Sequence, residues 1–134
     1  HTKDVKLVTL AEELEALKDY RYLLNIRYND AVDLQLEVED EFLEMPIPPL
    51  TLQLLVENAV KHNVISAAQP LKINVEVINN ELRVLNNKTE KPLHTASHRV
   101  GLNNIRKRYA HFTKAEIMVV DDDYFEVKLP ILVI

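Results

Sequence analysis

Cysteine and tryptophan are absent from the 134-residue chain, and glycine occurs once. Without cysteine the chain can form neither a disulfide nor a thiolate metal site, which fits a reducing compartment. No apolar run is longer than a few residues, so the sequence predicts no membrane span and no signal peptide. Because the first residue is not methionine, we treat the chain as a fragment of a longer protein.

Apolar residues make up 47% of the chain and charged residues 28%, a balance typical of one folded domain rather than a disordered segment. The net charge of −5 is unevenly distributed. Residues 1–50 carry five basic and twelve acidic side chains, whereas residues 51–134 carry eleven basic and nine acidic ones. An acidic chain does not favour a nucleic-acid-binding surface, but the second half is compatible with a local anion site.

Hydrophobic periodicity predicts three helices. The first begins at a capping box formed by Thr9 and Glu12. The second follows the proline-rich segment 46–49, which we expect to block regular structure. We expect the three helices at about residues 10–29, 50–63 and 101–112.

Alternating apolar residues predict strands between and after these helices. Asn79 and Asn80 suit the positive φ of a tight hairpin turn, and Asp121–Asp123 suits a second turn. Residues 86–99 have no periodicity and predict a long loop, of the kind that often serves as a lid. Strands grouped with helices on one side give a two-layer α/β sandwich of the α+β class. The predicted strand segments are 32–38, 71–77, 82–84, 117–119 and 125–129.

The second predicted helix carries three polar residues on an otherwise apolar surface. Asn58, Lys61 and His62 are spaced i, i+3 and i+4, so they share one face. Burying an amide and an ammonium group without partners is unfavourable, and an anion-filled cleft beside this helix would supply those partners. The amide oxygen of Asn58 suits Mg²⁺, and Lys61 suits a phosphate. On these residues alone, the alternative of a solvated helix edge stays open.

Two weaker signals follow in the second half of the chain. Gly101 stands where the loop is predicted to become a helix, and there it would let a phosphate approach the free N–H groups of the helix start. A plain helix-entry role is the alternative. Asn86, at the end of a predicted strand, could hydrogen-bond the amino group of adenine, but Asn86–Asn87 also suits a turn.

The three segments, in this order, resemble a known family. Residues 49–62 read proline–leucine–x–leucine–glutamine, then valine–glutamate–asparagine–alanine, then lysine–histidine. This pattern resembles the N-box of the GHKL ATPases and, more narrowly, that of the LytS/YehU-type sensor histidine kinases. Residues 101–108 resemble the second glycine box and the helix after it. The resemblance covers nearly the whole chain and implies the Bergerat (GHKL) fold, with a mixed, mostly antiparallel sheet covered by helices on one face.

The resemblance also implies a domain organisation and a set of site residues. Residues 1–30 would be a linking helix from a phosphoacceptor region, and residues 31–134 an ATP-binding catalytic domain. Asn58 would hold Mg²⁺ and Lys61 would contact the phosphates. Asn86 would take the place of the adenine-binding aspartate, and the segment around 87–100 would form the ATP lid. The further cofactor-contacting residues that it implies are His62, Asn63, Arg99, Gly101, Leu102 and Arg106.

Two departures from the family pattern lead to two hypotheses. Asn86 replaces an aspartate in a first glycine box without glycine, and Arg99 replaces a glycine of the second box. The first hypothesis is a kinase domain that transfers the γ-phosphate of ATP to a histidine on a separate, dimeric phosphoacceptor domain of the same protein. The domain would lie on the cytoplasmic side of an inner-membrane sensor, would contact neither nucleic acid nor the membrane, and would have a response regulator as a further partner. The second hypothesis is a degenerate, non-catalytic signalling module with the same fold.

Overall fold

The computed structural model describes residues 6–89 and 95–133, with the side chains of residues 95–100 outside that description. Within these ranges the helices are α1 (Leu10–Arg27), α2 (Thr51–Lys61) and α3 (Thr95–Ala110). The strands are β1 (Val8–Thr9), β2 (Val32–Glu37), β3 (Pro46–Ile47), β4 (Leu71–Ile78), β5 (Glu81–Asn87), β6 (Met118–Asp121) and β7 (Tyr124–Pro130). None of the described helices is long and apolar enough to cross a lipid bilayer.

The main sheet has the strand order β2-β4-β5-β7-β6. β2 pairs with β4 in parallel, and the other neighbours are antiparallel. Alternate residues of each strand point into one core that also contains the apolar faces of all three helices. The helices therefore cover one face of a mixed, mostly antiparallel sheet, and the predicted two-layer α+β sandwich is confirmed.

The ends of α1 and of the central hairpin follow from local sequence. The Thr9 hydroxyl accepts a hydrogen bond from the Glu12 amide at 3.2 Å, and the Glu12 carboxylate accepts one from the Thr9 amide at 3.1 Å. This confirms the predicted capping box. Asn79 and Asn80 have φ values of 52° and 60°, as a tight turn between β4 and β5 requires.

Two predictions about local structure are wrong. Residues 86–99 are not one long loop, because β5 continues through Asn87 and α3 begins at Thr95. Gly101 is consequently the seventh residue of α3 and not its start, since residues 95–100 contain no helix breaker and one glycine in a helix costs only about 1 kcal/mol. Residues 90–94 of the predicted lid lie outside the described part of the chain.

The proline-rich segment also differs from expectation. Pro46 and Ile47 form the short strand β3, which pairs with β1 in a two-stranded ribbon. A proline is tolerated at such a sheet edge because its missing N–H group is not needed by a further strand. The predicted boundary at residue 30 between a linking helix and the domain stays a prediction, although Leu10, Leu14 and Leu17 of α1 lie in the common core.

Candidate functional site

The candidate site is built on the second half of α2. Its buried side chains, among them Leu52, Val56 and Ala59, face the core. Asn58 is half-buried and Lys61 is exposed in the last turn of the helix. The structure thus gives α2 one apolar side and one polar edge, and Asn58 lies at the boundary between them.

Asn58 faces Gly101 on α3. A Cβ atom added to Gly101 would lie 2.5 Å from Nδ2 and 2.9 Å from Oδ1 of Asn58, which is too close for a methyl group. Glycine therefore lets the α3 backbone approach the Asn58 amide. The Nδ2 group is buried there, and no hydrogen-bond acceptor for it is present among the described residues. A buried donor without an acceptor is unfavourable and marks a place where a ligand or water can bind.

These residues fit a magnesium ion that is bound together with a ligand. The Asn58 amide provides one oxygen, the type of ligand atom that Mg²⁺ prefers. In the described ranges no three His, Asp or Glu side chains come together as a metal cluster. A Mg²⁺ ion at Asn58 would therefore obtain its remaining ligands from phosphate oxygens and water, which is how this ion is usually bound beside nucleotides.

The C-terminal end of α2 is tied to the end of β5. His62 is buried at the C-cap, next to Lys61. The Asn63 side chain donates from Nδ2 to the Ala59 carbonyl at 2.7 Å and accepts from the Thr89 amide at 2.8 Å. Both ends of this amide are engaged by backbone groups, so Asn63 holds the two segments together and has little capacity left for a ligand.

Asn86 lies near the C-terminal end of β5, the central strand of the sheet. It continues the inward-facing row of Leu82 and Val84 and is buried among these core positions. Its Nδ2 group donates to the Asn87 carbonyl at 2.7 Å. The acceptor that the Asn86 side chain can offer to a ligand is therefore Oδ1.

The remaining predicted residues of α3 are not all on the side of Asn58. Leu102 is buried in the core, and the Arg99 side chain lies outside the described residues. Arg106 is exposed and lies about 140° around the helix from Gly101, at 3.6 residues per turn. It borders a different groove of about 660 Å³, which Tyr109, Lys114 and Ile117 also line. The structure brings Asn58 and Gly101 together but does not add Arg106 to them.

Sequence reasoning missed Glu13, a buried acid on α1. Its Oε2 accepts from the Leu50 amide at 2.9 Å and its Oε1 from the Leu52 amide at 3.1 Å, at the start of α2. Two signals were available in the sequence. Glu13 falls within the apolar stripe that contains Leu10 and Leu17, and position 50 has no capping side chain.

Two tyrosines, Tyr20 on α1 and Tyr109 on α3, have raised pKa values. Burial, and then the nearby Glu57 carboxylate, raise the pKa of Tyr20 above its ordinary value. Burial, and then the Glu13 carboxylate, raise the pKa of Tyr109. The Glu57 carboxylate on α2 thus disfavours ionisation of Tyr20 on α1, and the Glu13 carboxylate on α1 disfavours that of Tyr109 on α3.

The chain has relatives among the sensor histidine kinases. No protein-family model matches it. It is 37% identical over 71 residues to the sensor histidine kinase/phosphatase LytS of Staphylococcus aureus, with the same figures in several strains. The match covers 53% of this chain and 12% of the length of LytS.

Solved structures of histidine kinases share the fold. The cytoplasmic segment of QseC has a TM-score of 0.64 at 19% identity, covering 97% of this chain and 79% of that one. The chain is thus similar in sequence to the sensor histidine kinase LytS and has the fold of histidine kinase catalytic domains. The nucleotide-free catalytic domain of ThkA matches this chain with a TM-score of 0.56 at 19% identity, covering 93% of this chain and 95% of that one.

Full-length ShkA in complex with AMPPNP also has this fold. Its TM-score is 0.58 at 13% identity, covering 100% of this chain and 33% of that one. At sequence identities this low, the three structural matches show a shared fold and nothing about function. The sequence match to LytS confirms the resemblance to the LytS-type sensor histidine kinases that the N-box pattern indicated.

Proposed function

We propose that the chain binds ATP with Mg²⁺ and presents the γ-phosphate to a histidine on a phosphoacceptor domain. The observation that carries this proposal is the Asn58 amide, which lies against Gly101 with a buried Nδ2 group that no described residue accepts from. An amide oxygen and a lysine one turn apart match what a metal–phosphate group needs. The ShkA complex with AMPPNP adds that a protein of this fold holds a nucleotide analogue.

The proposal gives each of three site residues one role. Asn58 orients the metal, and Lys61 neutralises phosphate charge from the exposed end of α2. Mg²⁺, when bound, would neutralise charge that develops on the transferred phosphoryl group. Asn86 accepts a hydrogen bond from the adenine amino group at the end of β5. No protein base is required, because phosphoryl transfer depends mainly on positioning and on charge neutralisation.

The remaining parts of the proposed site follow the family resemblance. Gly101 and Leu102 border the phosphates, together with Arg99 and with Arg106 if α3 shifts on binding. The Asn63 amide shapes the site through its hydrogen bond from the Thr89 amide, and His62, buried at the C-cap of α2, lines the site. We further propose a dimeric phosphoacceptor domain in the same protein, a response regulator as the later acceptor, and a parent protein anchored in the inner membrane.

Isothermal titration calorimetry with MgATP tests the proposal. We expect the wild-type chain to bind MgATP. The Asn58→Ala variant should bind it at least tenfold more weakly, because the metal loses a protein ligand. Asn74→Ala is the matched control, since Asn74 alternates with the buried Ile73 and Val75 on β4 and so faces away from the helices. Binding that is equally strong with and without Asn58, or no binding by the wild type at millimolar nucleotide, would contradict the proposed function.

The contact between Asn58 and Gly101 also favours a second candidate function. Because the backbone of α3 lies directly on the Asn58 amide, α3 covers the candidate site. In addition, the chain has a single glycine, at position 101. A non-catalytic signalling module of this fold would keep such a covered site permanently. It would give no heat in the titration, while its free energy of unfolding would be unchanged by MgATP.

A further inference from the structure

The first turn of α2 lacks a cap of its own. The N-cap residue is Leu50, whose backbone has a left-handed φ of 67° and whose side chain makes no capping hydrogen bond. The N–H groups at the start of a helix have no intrahelical acceptor and must find one elsewhere. Residues 46–49 contain three prolines and offer no side-chain acceptor either.

Glu13 supplies the missing acceptors from another helix. Its two carboxylate oxygens bind the Leu50 and Leu52 amides, which are 37 and 39 residues away in sequence. The side chain is only 6% exposed, so both bonds are shielded from water. A negative charge is also favoured at a helix N-terminus by the helix dipole. Glu13 therefore holds the start of α2 through charge-assisted hydrogen bonds.

Further contacts continue from this point to the candidate site. α1 packs against α2: Glu13 meets its start, and the carboxylate of Glu57, the residue before Asn58, contributes to the raised pKa of Tyr20 on α1. From α3, Arg108 donates to the Pro49 carbonyl at 2.7 Å. The turn before α2 is thus held from one side by α1 and from the other by α3, the helix that carries Gly101.

We infer that Glu13 is a positioning residue that couples the placement of α1 to the position of Asn58, so that displacement of α1 changes nucleotide affinity. A helix moves as a rigid element, and a shift of its first turn is transmitted along its axis. Asn58 lies two turns from that first turn, against Gly101, where small displacements alter the contact. This inference rests on the proposed function and adds a control of the same site.

Glu13→Gln and Glu15→Gln form a matched pair for the test. Both remove one negative charge from α1, but Glu15 is exposed and pairs with Lys18 on the same helix. We expect Glu13→Gln to raise the Kd for MgATP about fivefold or more, in the usual range of coupling between sites, at a temperature where circular dichroism shows it fully folded. Glu15→Gln should bind as the wild type does. An unchanged Kd for Glu13→Gln would overturn the inference and leave the proposed function intact.

Hydrogen exchange without nucleotide separates the inference from the proposed function. We expect Glu13→Gln to speed exchange along α2 as far as Asn58, and not only at the two amides that lose their acceptor. Faster exchange confined to Leu50 and Leu52 would overturn the inference even if the wild type binds no nucleotide. If Glu13→Gln does not fold, Glu13→Asp decides, because its shorter carboxylate cannot reach both amides, and wild-type exchange and affinity in that variant would overturn the inference.

Discussion

The two ends of α2 treat their polar groups differently. At the N-terminal end the amides of Leu50 and Leu52 both have an acceptor in the Glu13 carboxylate. Further along the helix the Nδ2 group of Asn58 is buried without an acceptor among the described residues, and Lys61 extends into solvent. Polar groups that are satisfied within the chain hold its shape, whereas an unsatisfied one is a place where a ligand can bind.

Breaking the satisfied end should have the largest effect on stability. We expect Glu13→Ala to lower the free energy of unfolding by about 2–4 kcal/mol, because two buried amides lose a charged acceptor. Asn58→Ala is the comparison at the other end and should change this free energy by less than about 1 kcal/mol without ligand, because it removes a group that has no partner. Urea denaturation followed by circular dichroism measures both. Equal losses would contradict the contrast between the two ends.

Gly101→Ala sharpens the contrast at the Asn58 end. In an Asn58→Ala background we expect it to raise the free energy of unfolding by about 0.5–1 kcal/mol, because alanine is the better helix former. With Asn58 present the added methyl group meets the amide, and the gain should disappear, giving a coupling of about 1 kcal/mol. A four-variant urea denaturation cycle measures this coupling. An equal gain in both backgrounds would show that this contact is not the reason for the glycine.

Alkaline pH should lower the free energy of unfolding through ionisation of Tyr109. This is the smallest of the expected effects. Its raised pKa means that the folded chain keeps the phenol proton when the unfolded chain releases it near the ordinary pKa of 10.0. The stabilisation is therefore complete below pH 10 and is lost as the pH rises above it. We expect Tyr109→Phe to reduce the stability loss between pH 9 and pH 11 by about 1 kcal/mol.

The control for this pH effect is Tyr22→Phe, because Tyr22 is 67% exposed on α1. It should leave the pH dependence of the free energy of unfolding unchanged. Urea denaturation at several pH values provides the slopes. The same slope for the wild type and Tyr109→Phe would argue against an effect of ionisation at the Glu13 end.

Local patterns in the sequence account for most of the fold. The capping box of Thr9, the alternation in β2 and the Asn79–Asn80 turn each involve residues a few positions apart. Such signals can be recognised without knowing where the rest of the chain lies. Asn58 and Lys61 belong to the same category, since their residue types and helical spacing already predicted a polar edge on a buried helix.

The errors and omissions concern contacts between distant residues. The sequence predicts a helix start at Gly101 because residues 86–99 have no periodicity, but in the structure this glycine lies within α3 and allows the close approach to Asn58 on another helix. Glu13 was overlooked because its partners are 37 and 39 residues away. The sequence places Glu13 in an apolar stripe and leaves position 50 without a capping side chain, but only the packing of the helices joins the two.

The capping of α2 by Glu13 of α1 has a consequence for chimaeric proteins. A fusion that attaches the linker helix of a different protein to residue 31 would exchange α1 for a foreign helix. That helix would have to offer apolar residues at the places of Leu10, Leu14 and Leu17, and a carboxylate at position 13. Transplanted modules of this kind should therefore include α1, or else receive an acid at the equivalent place.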